Sequence, residues 1–269
     1  MKALIKLGGT LVDSQELRRS LAEQIAALSQ RDVQATIVHG GGKQMTRFLE
    51  ERGISSRFVN GLRVTTPETM DAVLKVLAGS VNQELVAALI AAGAAAVGLT
   101  GIDGGLVEAE QMDPELGLVG RVVRARPELL DLLVSRGYLP VVACVAGSPD
   151  GAMYNVNADQ MASACAAGWG VERLIFLTDI AGVMDAAKQV QPQLNAEDCA
   201  RLIREGTATG GMQAKLNAAV AALEQGVEQV EVAPGAAPDV LARLFSGETL
   251  GTRIVRVEEY SGSAAMKLP

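Results

Sequence analysis

A short apolar run, a turn and then a helical period recur from residue 3 to beyond residue 230, and this alternation limits the fold more than any other feature. Ala3–Leu7 is the first such run, and Ser14 follows it as a candidate cap for a helix with Leu17, Leu21, Ile25 and Leu28 on one face. Ala35–Val38 is the second, entering His39-Gly40-Gly41-Gly42 and a helix that reaches Arg52. Helical spacing then covers Pro67 to Ala92, with a break expected near Gly79. Ala95–Leu99, Leu139–Ala143, Leu174–Leu177 and Glu228–Val232 read as further buried strands. Strands that alternate with helices build a mostly parallel sheet covered on both faces. The expected class is α/β, a three-layer α/β/α sandwich.

Two stretches interrupt the alternation as hairpins. Leu106–Glu110 and Val119–Arg124 flank a polar turn at Met112–Gly117, and Pro149-Asp150-Gly151 turns the chain before Ala152–Asn155. No low-complexity linker marks a boundary. A soft division near residue 170 is expected, giving lobes at 1–170 and 171–257, with 258–269 as a tail.

Composition removes several kinds of chemistry. The single histidine, His39, leaves no cluster of imidazoles for zinc. Cys144, Cys165 and Cys199 are far apart and read as buried free thiols of a reducing compartment. A net charge of −7 without a basic stripe argues against nucleic acid. The opening MKALIKLGGT is a strand running into glycines and not a signal peptide. No apolar run approaches the roughly 20 residues of a membrane span. These features together point to a cytoplasmic protein without a membrane segment.

Glycine and lysine mark the candidate site. Gly8-Gly9 ends the first strand, Gly40-Gly41-Gly42 ends the second, and Gly210-Gly211 opens a late helix. Glycines between a strand's carboxyl end and a helix let backbone N–H groups approach an anion, and in a parallel sheet those ends share one edge. Each pair would also serve a plain tight turn. Neither GxxxxGK[ST] nor a GxGxxG after the first strand is present, which sets aside a P-loop and a dinucleotide fold. Lys6 lies inside a buried strand, where an ammonium is expensive unless paired or facing a ligand. Lys215 sits one turn into the late helix beside an apolar stripe, and by spacing alone reads as a solvated flank residue. In Asn155-Val156-Asn157-Ala158-Asp159, Asn157 is a candidate helix cap and Asp159 falls in the first turn. Arg63 follows the turn at Asn60-Gly61 and offers a fork suited to a carboxylate, or simply a surface arginine.

Taken together, Ile5–Gly9, His39–Gly42, Asn60–Thr65, Gly98–Asp103, Asn155–Gln160, Thr178-Asp179 with Gly182, and Gly211–Lys215 resemble the N-acetylglutamate kinases of the amino-acid kinase family in order and spacing. Each motif alone is weak, but the series covers residues 2 to about 255. The resemblance implies the amino-acid kinase type of sandwich and ATP-dependent phosphorylation of the γ-carboxylate of N-acetyl-L-glutamate in arginine biosynthesis. It makes Lys6 and Lys215 stabilisers of the transferring phosphoryl group, with Asp159 holding both. It makes Gly8, Gly9, Gly41 and Gly42 backbone donors, and Arg63 and Asn155 the substrate's partners. It gives the nucleotide to Asp179, Ile180, Ala181, Gly182, Val183, Met184, Thr207, Ala208, Thr209 and Gly211, with Mg²⁺ carried on the ATP phosphates. A γ-carboxylate with a reference pKa of about 4.3 is already a nucleophile at neutral pH, so no general base is required.

The chain begins directly in its first strand, whereas arginine-inhibited hexamers of the family carry an extra N-terminal helix. The resemblance therefore implies an arginine-insensitive homodimer, with its interface in Pro67–Ala92. Rival readings are a kinase for carrier-protein-linked aminoadipate, one for N-succinylglutamate, and a non-catalytic amino-acid or nucleotide sensor of the same fold.

Overall fold

The computed structural model describes residues 1–256; the expected tail at 258–269 lies outside them. Eight strands form the central sheet: β1 (Lys2–Leu7), β2 (Gln34–His39), β3 (Ala96–Thr100), β4 (Leu139–Ala143), β5 (Arg173–Thr178), β6 (Gln193–Leu194), β7 (Gln229–Pro234) and β8 (Thr252–Ile254). Their order across the sheet is β6-β8-β7-β5-β1-β2-β4-β3. Every pairing is parallel except β7 with β8. In β1 the consecutive residues Ala3, Leu4 and Ile5 are all fully buried, so both faces of the sheet are covered, as an all-parallel centre demands. The short strands β6 and β8 carry too little apolar sequence to stand out from their surroundings.

Both expected hairpins are present. Val107–Gln111 pairs antiparallel with Val119–Ala125, and Val145–Gly147 pairs antiparallel with Met153–Val156. They then join through parallel contacts, Asn155 opposite Val119 and Glu108 opposite Gly147, into a closed four-stranded barrel.

The helices that position the site are α1 (Gly42–Glu50), α2 (Pro67–Ala91), α3 (Ala158–Trp169) and α4 (Gly210–Glu224). Helix α2 corrects two expectations. It does not break at Gly79: Leu74–Val81 takes π-type hydrogen bonding, which absorbs an extra residue and keeps the rod continuous. At 25 residues, with a mean hydropathy of 1.5 over its most apolar 18-residue stretch, α2 is also long and apolar enough to cross a membrane by length and composition alone. Interspersed polar residues hide this length from a search for unbroken apolar runs. Its Val73, Leu77, Leu85 and Leu89 are buried within the protein.

Candidate active site

The carboxyl ends of β1, β2 and β5 and of the Met153–Val156 strand converge, as Lys6 pairs in register with Val38 on one side and Phe176 on the other. Asn157 caps α3, its Oδ1 accepting from the N–H groups of Asp159 (2.9 Å) and Gln160 (3.2 Å). That cap fixes Asp159 in the first turn with its carboxylate inward. Lys6 Nζ lies 2.8 Å from Asp159 Oδ1, and Lys215 Nζ lies 3.0 Å from Oδ1 and 3.1 Å from Oδ2. Side-chain exposure is 10% for Lys6, 9% for Asp159 and 8% for Lys215.

Lys215 is therefore not the solvated residue that its spacing suggests. Helix α4 packs its small residues on α3, where Ser163 Oγ donates to the Ala218 carbonyl at 2.8 Å, and the contact carries Lys215 inside. Burial, and then the charge of Lys6, lower the Lys215 pKa to about 8 against the attraction of Asp159. Burial works to raise the Asp159 pKa, but the two lysines outweigh it and hold the carboxyl below its usual range. Two buried ammonium groups share one carboxylate, so one positive charge remains without an internal counter-ion. Such a surplus is costly unless an anion arrives to use it.

Backbone donors border this charge. The nitrogens of Gly42 and Gly41 come within 3.2 and 3.6 Å of where a Gly9 side chain would start, and a Cβ on Gly41 would stand 2.5 Å from Leu77 Cδ2. The N–H groups of Gly9, Gly41 and Gly42 have no acceptor among the described residues. Gly8 differs from the expectation, because its N–H is committed to the Leu177 carbonyl at 3.0 Å. That glycine shapes the turn and does not donate outward.

Phe58–Val59 and Leu62–Arg63 form a two-stranded hairpin whose turn residues Asn60 and Gly61 have φ of 49° and 80°, the positive pair of a type I′ turn. Arg63 ties this hairpin to the glycine loop, donating to Thr46 Oγ1 at 2.7 Å and to the Gly42 carbonyl at 3.3 Å, and lying 4.6 Å over the Phe58 ring. Asn155 Nδ2 donates to Thr65 Oγ1 at 3.0 Å. Arg63, Asn155, Lys6, Gly41, Leu77 and Cys144 border one cavity of about 230 Å³. It shares Gly9, Gly42, Phe58 and Arg63 with a neighbouring space of about 510 Å³ that reaches Thr10 and Lys43. A larger groove of about 1030 Å³ runs between α3, α4 and the barrel hairpin, but none of the lysine–aspartate group borders it.

The expected nucleotide residues divide. Asp179 leaves β5 beside the cluster, accepts from Thr10 Oγ1 at 3.0 Å, and adds to the field at Lys215. Burial works to raise its pKa, but hydrogen bonds led by Thr10 lower it overall. Ile180 is partly buried, Ala181 and Met184 are exposed, and Gly182 is buried. Val183 is fully buried, its N–H bonded to Thr252 Oγ1 at 2.8 Å. Thr207 and Ala208 both donate to the Leu202 carbonyl at 3.0 Å, and Ala208 is buried. Val183 and Ala208 thus support their loops and offer no side chain outward. Thr209 and Gly211 stand exposed at the start of α4, which has no side-chain cap.

Thr10 and Cys144 join the site without having been expected there. The Gly8-Gly9-Thr10 run carries a signal for Thr10, while Cys144 resembles any core cysteine. No group of three or more His, Cys, Asp or Glu able to hold a metal occurs among the described residues. The donor set suits anions, and Asp179 is the one carboxylate beside it that the lysines leave unpaired.

Comparison with known proteins identifies the family. The amino acid kinase family model matches residues 1–234. Acetylglutamate kinase of Solibacter usitatus (strain Ellin6076) is 65% identical over 95% of this chain and 99% of its own length. The acetylglutamate kinase of Methylobacterium nodulans is 42% identical over 94% of this chain and 88% of its own. Among solved structures, a protein of Streptococcus mutans UA159 superposes with a TM-score of 0.82 at 26% identity, covering 94% of this chain and 98% of that one. N-acetylglutamate synthase of Neisseria gonorrhoeae shares the fold, with a TM-score of 0.84 at 24% identity, over 95% of this chain and 59% of that longer one. The chain belongs to the amino acid kinase family, and within it to the acetylglutamate kinases.

Proposed function

We propose that this chain transfers the γ-phosphoryl group of ATP to the γ-carboxylate of N-acetyl-L-glutamate, giving N-acetyl-L-glutamyl 5-phosphate for arginine biosynthesis. The observation that carries the reading is the buried Lys6–Asp159–Lys215 group beside unspent glycine N–H donors. A carboxylate oxygen forms a bond to the γ-phosphorus while the bond from that phosphorus to the β,γ-bridging oxygen breaks, and ADP leaves with that electron pair. The nucleophile is already ionised, so no residue has to remove a proton. The remaining difficulty is charge, since an anion must approach a polyanion. Lys6 and Lys215 neutralise the transferring oxygens, Asp159 holds both ammonium groups in place, and Gly9, Gly41 and Gly42 supply fixed donors that need no reorganisation. Mg²⁺ supplies further neutralisation when carried on the nucleotide phosphates.

Arg63 and Asn155 face the substrate's α-carboxylate and amide in the cavity, whose remaining wall combines Lys6 and Asn157 with apolar Met45, Val73 and Leu77. Residues 1–170 form the acyl-amino-acid lobe and 171–257 the nucleotide lobe. Asp179 to Met184 and Thr207 to Gly211 approach the nucleotide mainly through backbone and exposed positions. The protein acts in the cytoplasm as a homodimer, with copies meeting over α2 and the edge strand β3, where Ile90 is 55% exposed. Ile90→Glu yields monomers in sedimentation; an unchanged dimer rules out that face.

The test of function is ADP release with ATP, Mg²⁺ and N-acetylglutamate, N-succinylglutamate or free glutamate, with hydroxylamine trapping the acyl phosphate. Turnover with N-acetylglutamate is expected. Turnover only with the succinyl compound reassigns the acyl pocket, and none with any of the three overturns the reading.

A further inference from the structure

His39 is the chain's single histidine, it is fully buried, and the carboxylate chemistry above gives it nothing to do. Gly98, which opens the Gly98–Asp103 motif, is likewise left without a role. One chain of hydrogen bonds and the space it needs account for both.

His39 Nδ1 lies 3.0 Å from the Gly40 carbonyl, and Nε2 lies 2.9 Å from Asn82 Nδ2. A carbonyl only accepts, so Nδ1 carries the hydrogen, and Nε2 must then accept from the Asn82 amide. The second N–H of that amide goes to the Val141 carbonyl at 2.9 Å. The ring is thus required to be neutral, and burial, opposed by the Gly40 hydrogen bond, lowers its pKa to about 4. With both ring nitrogens occupied by internal partners, His39 is no general base.

The effect lies one peptide further on. The described residues contain no cis peptide bonds, and in a planar trans peptide the carbonyl and the following N–H point to opposite sides. With the Gly40 oxygen drawn to His39, the Gly41 N–H is turned away from the ring, and the Gly41 nitrogen lies 3.6 Å from where a Gly9 side chain would start. Asn82 holds its place only because residue 98 is glycine, since a Cβ there would stand 2.1 Å from Asn82 Oδ1. Leu77 and Val81, on the same helix as Asn82, leave no room for a side chain at Gly41, where a Cβ would stand 2.5 Å from Leu77 Cδ2 and 3.4 Å from Val81 Cγ2.

We propose that His39 and Asn82 are positioning residues: an Asn82–His39–Gly40 chain, given room by Gly98, aims the Gly41 N–H at the transferring phosphoryl group. The inference rests on the reading that the glycine loop belongs to the kinase centre.

The test compares His39→Asn with His39→Gln. An Asn amide nitrogen takes the place of Nδ1 and keeps the bond to Gly40, whereas Gln, closer to histidine in size, places its amide where Nε2 was. The expected result is that His39→Gln and Asn82→Ala lower kcat roughly 10- to 100-fold, with KM for both substrates nearly unchanged, while His39→Asn keeps more of kcat than His39→Gln. Gly98→Ala follows Asn82→Ala, and the double variant is no slower than Asn82→Ala alone. Should His39→Gln fail to fold, Asn82→Ala and Gly98→Ala carry the same readout. The inference is overturned if Gln restores kcat better than Asn, or if the kcat losses follow Tm across the series. Lys6→Ala separates the two claims. Full turnover there removes the site itself, whereas an inactive Lys6→Ala beside an unaffected Asn82→Ala removes only the positioning chain.

Discussion

Among the described residues the protein buries two cation–carboxylate–cation groups, and they differ in what they leave free. Lys6–Asp159–Lys215 stands at the carboxyl ends of the strands, while Arg173–Glu231–Arg253 spans β5, β7 and β8 farther back in the sheet. In the second group Arg173 Nε donates to Glu231 at 3.1 Å, its Nη2 reaches the Leu244 carbonyl at 3.1 Å, and Arg253 lies 3.9 Å from the carboxylate. Glu231 is 2% exposed, and burial raises its pKa despite both guanidinium groups. The Arg173 fork is spent on internal partners and stacks 4.6 Å over Phe245. Two ammonium groups around one aspartate remain able to turn toward a newcomer, and unspent N–H donors stand beside them. Equal charge counts therefore give a clamp in one place and, on the proposed function, a reactive centre in the other. Location at the strand ends and the rotatable ammonium decide the outcome.

Substituting the central carboxylate of each group separates them most sharply. Asp159→Asn, like Lys6→Ala, is expected to lower kcat by on the order of 100-fold, about 3 kcal/mol of transition-state stabilisation, with a smaller change in KM. A kcat within fivefold of wild type in either variant removes the assigned role. Glu231→Gln is expected to leave kcat within about twofold while costing about 3 kcal/mol of stability, because it strands a buried guanidinium. Denaturant unfolding checks it, and an undiminished midpoint would make the second group ornamental.

The smallest effect is one of pH. Lys215 titrates at about 8 in the folded chain against 10.5 for an ordinary lysine, so between those limits the unfolded chain binds more protons. Its contribution to stability therefore rises with pH across that window, while the ammonium to which the proposed function gives the transferring group is being lost. The expected outcome is a kcat/KM that declines above pH 8, together with a stability difference between wild type and Lys215→Met that moves in favour of wild type. A flat profile to pH 10 contradicts it. The arginine group has no counterpart, because guanidinium does not titrate there.

Features written in local sequence were legible, and those made by distant pairing were not. The strands before Gly8 and Gly40, the Ser14 cap and both hairpins follow from runs of a few residues. Barrel closure depends on Asn155 meeting Val119, a pairing that no local pattern encodes. Lys6 could be singled out because a lysine inside an apolar strand needs a reason. Lys215 could not, since its burial is decided by how α4 lies on α3. Glu231 resembles an ordinary strand residue in the sequence, and Asn82 an ordinary helical one. Gly79 suggested a broken helix because propensity penalises glycine, yet it does not reveal that the hydrogen-bond step can lengthen instead.

The π segment at Leu74–Val81 sets a limit on how this lineage can change. Each residue turns a helix by about 100°. Losing one residue there would leave a sound helix but swing Asn82 away from His39 while Leu77 stayed against Gly41. Substitutions in the segment are open to drift, whereas its length is held as an inserted residue that descendants cannot shed without unmaking the loop it serves.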